Sequence, residues 1–292
     1  MNKMLISVFT PVHIGTDFFN ICIKGICEQN YKNWEWIILD NTDFLNIEEY
    51  MNEFIYATYD IDFANECIEK IKVYKHKIDN KNIGRLKDIC CGLCNGELLL
   101  ELDYDDYLMP DCLRMFADCC REFWFCDFFY SDWINMQWTD NYQYNTREGV
   151  YAIDSGVINY LGKQCDVKVF GLDKIDYNEF FDNTGTIPAQ MPIHVRAWKK
   201  DFYHLIGGFD REMEIADDYD LIVKSYIYGN CCRISYPCCV VNYHNDNTTD
   251  KYERSVLDNY CNIVNQKYRK LLQEKCKNDN GNFKIIRYIP TL

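Results

Sequence analysis

Three carboxylates fall within four positions in Leu102-Asp103-Tyr104-Asp105-Asp106-Tyr107-Leu108-Met109-Pro110, directly behind the apolar run Leu98-Leu99-Leu100. Like charges that close together need a cation or solvent to relieve them. Hard oxygen donors of this kind suit Mg2+ or Mn2+, and such an ion also binds the oxygens of a diphosphate. A solvated acidic turn, with Asp111 capping the next helix, would use the same residues. A second acidic set, Ala216-Asp217-Asp218-Tyr219-Asp220-Leu221, follows Gly207-Gly208-Phe209-Asp210. Consecutive acids at a helix start serve as caps and dipole partners, or one of them points into a cleft and takes a proton from a hydroxyl. Asn82-Ile83-Gly84-Arg85-Leu86-Lys87-Asp88 is a turn entering a helix. Its two basic side chains, Arg85 and Lys87, are either partners for a diphosphate near a helix N-terminus or plain surface charges. His244, after the strand-like Val241-Asn242-Tyr243, is either a ligand or a structural histidine.

The bulk composition bounds what these residues can serve. A chain of 292 residues, 48% apolar and 26% charged, can bury an ample core as one large domain or two small ones. The net charge of -14 argues against a nucleic-acid partner, whose phosphates need Lys and Arg. An acidic enzyme can still take a phosphorylated substrate through a divalent cation. The first residues lead directly into a strand-like run without a small-residue cleavage site, and no stretch is apolar for the roughly 18 residues of a span. Neither a signal peptide nor a transmembrane segment is expected. The 17 cysteines are odd in number, and only Cys91-Gly92-Leu93-Cys94 has metal-like spacing, with no second such pair. They read as buried, reduced thiols of a cytoplasmic protein.

Strand and helix signals alternate up to residue 102. A strand over 5–10 is ended by Pro11, a helix covers 17–29, and a strand over 34–39 ends at Asp40-Asn41. A polar, acidic helix over 46–70, a strand over 71–74, a helix over 84–94 and a buried strand over 97–102 follow. This order predicts an α/β fold with a mostly parallel central sheet flanked by helices. Ligands bind beyond the carboxyl ends of such strands, where Thr10-Pro11, Asp40-Asn41 and Asp103 to Asp105 fall. Residues 131–190 loosen into a Tyr-, Asn- and Gly-rich stretch, read as an insertion of loops and short strands. Its Trp133, Trp138, Tyr142, Tyr144 and Tyr151 could stack on flat ligand faces or pack a core, and His194, Arg196 and Trp198 beyond it could line a cleft. A helix over 217–228, a strand over 238–243, an amphipathic helix over 250–276 and an apolar run over 283–289 complete the pattern. The long helix packs on the domain or forms a homodimer interface.

Taken in order, these elements resemble the family 2 glycosyltransferases, inverting enzymes of the GT-A fold. The matching residues are Ser7-Val8-Phe9-Thr10-Pro11-Val12-His13, Gln29-Asn30-Tyr31, Trp36-Ile37-Ile38-Leu39-Asp40-Asn41 and Asn82 to Glu97. The family's Asp-x-Asp falls on Asp103-Tyr104-Asp105, its Gly-Gly-Phe-Asp on 207–210, its Glu-Asp-Tyr-Asp-Leu on 217–221 and its late His on His244. The likeness covers roughly residues 4–245. It implies a GT-A domain over 1–245, with a nucleotide-sugar-binding lobe at 1–107 and an acceptor-binding lobe at 108–245, followed by a helical extension over 246–292.

The resemblance also implies roles. Thr10, Pro11, Asp40 and Asn41 would hold the base and ribose, and Arg85 and Lys87 would lie near the donor diphosphate. Asp103, beside Tyr104, would contact ribose or metal; Asp105 and His244 would ligate Mn2+ or Mg2+. Asp218 would be the general base, with Asp217 beside it positioning the acceptor. A hexose would pass from a nucleotide sugar, a UDP-sugar in first place, to a hydroxyl of a glycan or protein. The chain departs from the family at Asn41, where an acid is usual, and at Asp217, one methylene shorter than the usual Glu; residues 131–190 align with nothing. Two other readings compete. A nucleotidyltransferase would need a Gly-rich basic loop where Pro11-Val12-His13-Ile14-Gly15 stands. A catalytically inactive nucleotide-sugar-binding scaffold would have no need of the full acid set.

Overall fold

A computed structural model describes residues 3–13, 17–43, 45–77, 82–137, 150–160, 163–172, 191–244, 252–280 and 283–291. The elements are β1 (Ile6–Val12), α1 (Asp17–Cys27), β2 (Trp34–Asp40), α2 (Ile47–Thr58), α3 (Ile61–Ile68), β3 (Ile71–Lys75), α4 (Ile83–Leu93) and β4 (Leu98–Glu101). They continue as β5 (Tyr107–Leu108), α5 (Cys112–Glu122), β6 (Phe128–Gln137), β7 (Val150–Tyr160), β8 (Lys163–Leu172), β9 (Arg196–Lys199) and α6 (Lys200–Leu205). The last are α7 (Asp217–Tyr228), β10 (Cys231–Tyr243), α8 (Arg254–Asn278) and β11 (Ile285–Tyr288).

Strands β2 and β4 are buried at every position, the near-continuous apolar pattern of strands covered on both faces. They belong to one sheet in the order β11-β10-β6-β9-β4-β1-β2-β3. Strands β3, β2, β1 and β4 run parallel, as do β6, β10 and β11. Between these halves lies β9, antiparallel to both β4 and β6. One core forms where α1, α2, α3 and α5 cover one face, and a second where α4, α6, α7 and α8 cover the other. The α8 residues Cys261, Val264, Tyr268 and Leu272 recur at helical spacing and face this second core, so the long helix packs on the domain.

Several expected boundaries shift for local reasons. Pro11 does not end β1: the strand pairs with β2 out to Val12 opposite Asp40. The acidic segment over 46–70 is two helices, because Asp60 leaves the helical conformation and its side chain accepts from the Phe63 N–H at 3.0 Å to cap α3. Asp111 precedes α5 without a capping bond; its carboxylate meets Asn30 and Arg114 instead. The supposed insertion of loops and short strands contains strands of 10, 11 and 10 residues, β6 to β8, with β8 antiparallel to β6 and β7. Trp138, Tyr142 and Tyr144 lie outside the described residues, as do 161–162, 173–190 and the expected boundary at 245. Trp133 stacks on Phe170 inside the core.

The cysteines whose side chains the structure describes are free thiols, buried except for half-buried Cys276. Cys94 Sγ donates to the Cys90 carbonyl at 3.3 Å, so the Cys91–Cys94 spacing reflects helix packing. No helix among the described residues is long and apolar enough to cross a membrane.

Gly84 joins the first turn of α4 to the segment before α7. A Cβ there would stand 2.3 Å from the Asp210 carbonyl oxygen and 3.2 Å from Asp217 Cβ, distances that backbone must move to relieve. We predict that Gly84→Ala destabilises the fold by about 1–3 kcal/mol in urea titration. Gly92→Ala, in a helical position with open space around it, should instead stabilise by about 0.5–1 kcal/mol.

Candidate active site

Glu101 is the last residue of β4 and is completely buried. A carboxylate there requires counter-charge, and two cations supply it. Lys87 Nζ from α4 lies 2.7 Å from Glu101 Oε1, and Arg196 from β9 donates through Nε to Oε2 at 2.9 Å. Each cation then reaches α7: Lys87 to Asp217 Oδ2 at 3.1 Å, Arg196 Nη1 to Asp218 Oδ2 at 3.0 Å. Beyond β4, Asp103 Oδ2 pairs with His194 Nε2 at 2.9 Å. Four elements thus meet in one ion network, with the Asp103–His194 pair beside it.

Local structure aims the α7 acids. Ala216 precedes the helix at φ 58°, a left-handed turn that sends the chain sharply into α7 with both aspartates in its first turn. Gly208, at φ +59°, lies over the Tyr203 ring, 2.7 Å or less from where a Cβ would sit. Its carbonyl accepts from Lys224 of α7, which also pairs with Asp220 at 3.0 Å. From α8, Lys267 bridges Asp210 and Asp220 at 2.8 and 3.0 Å, and Asn265 accepts from the Tyr219 hydroxyl at 2.6 Å.

The network sets its protonation states. Burial, joined by neighbouring Asp218, pushes Asp217 up to about 6 despite Lys87. Burial also disfavours the Asp218 anion, but Arg196 and Lys87 outweigh it and hold Asp218 below the usual carboxylate range. For His194, burial opposes the charge and Asp103 overcomes it, raising the imidazole to about 9. Asp217 and Asp218 also differ in exposure: their side chains are 6% and 23% accessible.

Carboxylate oxygens of Asp103, Asp105 and Asp106 lie within 4.8 Å of one another. Burial and Asp105 push Asp106 well up, the signature of packed acids short of positive charge. A hard divalent cation such as Mg2+ or Mn2+ fits that donor set and that deficit. Strand β10 completes the surroundings. Asn242 gives its N–H to Asp106 Oδ1 at 3.1 Å and its amide to the Asp105 carbonyl at 2.7 Å. His244 Nε2 lies 3.0 Å from Asp105 Oδ2, with Phe18 stacked on its ring at 4.3 Å.

The other expected residues separate into two groups. Thr10 and Asp40 end β1 and β2 as expected, but both are already engaged: Thr10 accepts from Trp36 Nε1 at 2.9 Å, and Asp40 pairs with Lys75 at 2.8 Å and with Thr42. Asn41 is buried beside Val12, and Pro11 sits within the strand. Tyr104 is buried, edge-on to the His13 ring. Arg85 is exposed in the first turn of α4, capped by Asn82. Lys87 departs from its expectation: it is buried beneath the site rather than presented to a diphosphate, because Glu101 and Asp217 hold it there. Arg196 and His194 are network members, while Trp198 is a core residue stacked on Phe128. Glu101 escaped notice in the sequence, although an acid closing a wholly buried apolar run is itself a signal that cations must come to it.

Comparison with known proteins bears on the fold that carries this arrangement. Residues 7–122 match the family model "Glycosyl transferase family 2". The chondroitin synthase of Escherichia coli is 22% identical over 273 residues, covering 94% of this chain and 34% of that protein; this chain thus spans about a third of that relative. The S. aureus TarS 1–349 structure in complex with UDP-GlcNAc superposes with a TM-score of 0.62 at 12% identity, covering 93% of this chain and 71% of that 1–349 chain. The mannosyltransferase PcManGT from Pyrobaculum calidifontis, in complex with GDP-Man and Mn2+, gives 0.56 at 11% identity, covering 94% and 70%. The fold is the GT-A fold of glycosyltransferases, a curled mixed sheet between helices. Residues 7–122 thus resemble glycosyl transferase family 2, and the chain's relatives include synthases of polysaccharides.

Removing Lys87 would leave Glu101 and Asp217 facing each other with half their counter-charge. We predict that Lys87→Met costs roughly 3–5 kcal/mol by chemical denaturation at neutral pH. Asp217 adds a pH signature. Because its folded value lies above its unfolded one, it favours the fold at low pH, and this contribution is lost as pH rises through about 6. The stability of Asp217→Asn relative to the parent should therefore improve between pH 4 and pH 7; an unchanged difference would exclude a raised Asp217.

Proposed function

We propose that this chain is an inverting glycosyltransferase that moves a hexose from a UDP-sugar to a hydroxyl of a glycan or protein acceptor. One observation carries the reading: Lys87 and Arg196 tie Asp217 and Asp218 to Glu101, whose carboxylate lies within 4.8 Å of Asp103 at the carboxyl end of β4. Acids far apart in the sequence have no structural need to share one network, whereas metal-assisted group transfer needs both sets within reach of one substrate.

Asp218 is the general base in this scheme. It is the accessible member of its pair, while Asp217 is turned inward to Lys87. The acceptor oxygen forms its bond to the anomeric carbon as the bond from that carbon to the diphosphate oxygen breaks; the hydroxyl proton passes to Asp218. Asp105, Asp103 and His244 would hold Mn2+ or Mg2+, which supplies Lewis-acid stabilisation of the departing nucleoside diphosphate. Thr10, Pro11, Asp40 and Asn41 form the nucleotide end at the tips of β1 and β2. The Asn41 amide oxygen can accept from a uracil imide as a carboxylate would. Exposed Arg85 is placed for the diphosphate, and buried Lys87 supports from beneath. The TarS complex with UDP-GlcNAc supports a uridine donor, and the PcManGT complex with GDP-Man and Mn2+ makes GDP-sugars the necessary comparison. Free, buried thiols suit a reducing compartment such as the cytoplasm.

The test is a thermal-shift and hydrolysis screen of UDP-, GDP- and dTDP-sugars with Mn2+, with Mg2+ and with EDTA. Stabilisation and slow hydrolysis are expected with a UDP-sugar and either metal, and neither with EDTA. Silence towards every donor would end the glycosyltransferase reading, and binding without turnover under any condition would favour a non-catalytic scaffold. With the donor in hand, Asp218→Asn should lower transfer by about 10²–10⁴-fold while donor binding persists; normal turnover would remove Asp218 as the base.

A further inference from the structure

The proposed base does not stand free. Its Oδ2 accepts from Arg196 Nη1 at 3.0 Å and its Oδ1 from the Tyr219 N–H at 2.8 Å. Arg196 is itself 1% exposed, its Nε and Nη2 both directed at Glu101 Oε2 at 2.9 Å. A guanidinium is a rigid planar fork, so fixing two of its nitrogens on a carboxylate at the end of β4 fixes where the third points. It points at Asp218. On β9, moreover, Arg196 is paired with β4 in the register Glu101↔Arg196, so backbone and side chain impose the same geometry.

We infer that Arg196 is a positioning residue for the transfer reaction: anchored by Glu101, it holds Oδ2 of Asp218 so that the carboxylate presents its remaining lone pairs to the acceptor hydroxyl. This rests on Asp218 being the base and deepens that reading. A carboxylate has about four lone-pair sites, and two donors leave two of them for a proton. The cation also sets how basic the carboxylate is. The charged groups facing Asp218 are Arg196 from β9, Lys87 from α4 and His194 from the segment before β9, with Asp217 on its own helix. Glu101 and Asp103 stand behind these cations. Arg196 is the member of this set in contact with the carboxylate, and it lowers the pH at which Asp218 becomes protonated. Any ion pair would shift that pH; positioning is separated from it by kcat in R196K, which keeps the charge and loses the fork.

The experiment is the pH dependence of kcat/KM for R196Q, R196K and E101Q, with donor affinity measured by calorimetry using the UDP-sugar selected above. The acid limb of kcat/KM reports the base in the free enzyme. For R196Q we expect kcat down by about 10²-fold, donor Kd changed by less than about twofold, and the acid limb moved to higher pH. R196K keeps the charge without the fork, so its limb should return towards the parent value while kcat stays about tenfold down. E101Q removes the negative charge that competes for Arg196 and should move the limb to lower pH. An acid limb unmoved in R196Q, or R196K no closer to the parent than R196Q, overturns the inference. If R196Q is not recovered folded, E101Q decides: a lowered limb supports the inference and an unmoved one overturns it. Failure of the base reading looks different, since D218N would then transfer normally, whereas failure of this inference leaves D218N inactive and the Arg196 variants with an unshifted limb.

Discussion

A carboxylate with no access to water is among the most demanding groups a fold can carry, and Glu101 is such a group at the end of the strand leading into the acidic loop. It is kept charged by Lys87 and Arg196, which come from different elements on different sides of it. Burying three ions and losing any one of them would cost several kcal/mol, so α4, β4 and β9 are held in one mutual arrangement. Because both cations continue to the first turn of α7, that arrangement also dictates where the second acid pair stands. An apolar cluster of the same volume could match the stability, but it could not orient two carboxylates.

The site is braced from the outside by ordinary packing. Gly84 lets α4 approach the backbone before α7 closely enough for Lys87 to reach Asp217. Gly208 and Tyr203 form a tight turn, and the Tyr203 hydroxyl reaches Asp88 of α4 at 2.8 Å. Lys267 and Asn265 of α8 hold α7 from the other side. Precision of this kind belongs to sites built on rigid elements with a supporting layer of their own. The long terminal helix is therefore part of what fixes the proposed base.

The second half of the sheet contributes differently. Strand β10 carries Asn242 and His244 to the acidic loop, and its Arg233 pairs with Asp132 of β6 at 2.7 Å beneath the β8 strand. Gly171 of β8 lies against that guanidinium, where a Cβ would be 2.1 Å from Nη2. The β7–β8 hairpin is thus seated on a buried ion pair, and the Tyr130 hydroxyl donates to the Leu172 carbonyl at 2.8 Å.

Much of this was legible in the residues. The apolar runs of β1, β2 and β4, the helical spacing of α1, α4 and α7 and the acids after β4 follow from local periodicity and chemistry, which act over a few residues. So does the order of motifs from Thr10 to His244, which indicated the family. The long strands β6, β7 and β8 were hidden, because Tyr, Asn and Gly give a weak alternating signal and their pairing is with distant partners. Lys87 read as a diphosphate partner or a surface charge because a sequence shows charge but not burial. Only the tertiary structure decided that Lys87 and Arg196 face Glu101, that Asp217 turns inward and Asp218 outward, and that Asp103 meets His194. The physical reason is that the free energy of a buried charge depends on which opposite charge the fold brings within about 3 Å of it, and that distance is not a property of any stretch of chain.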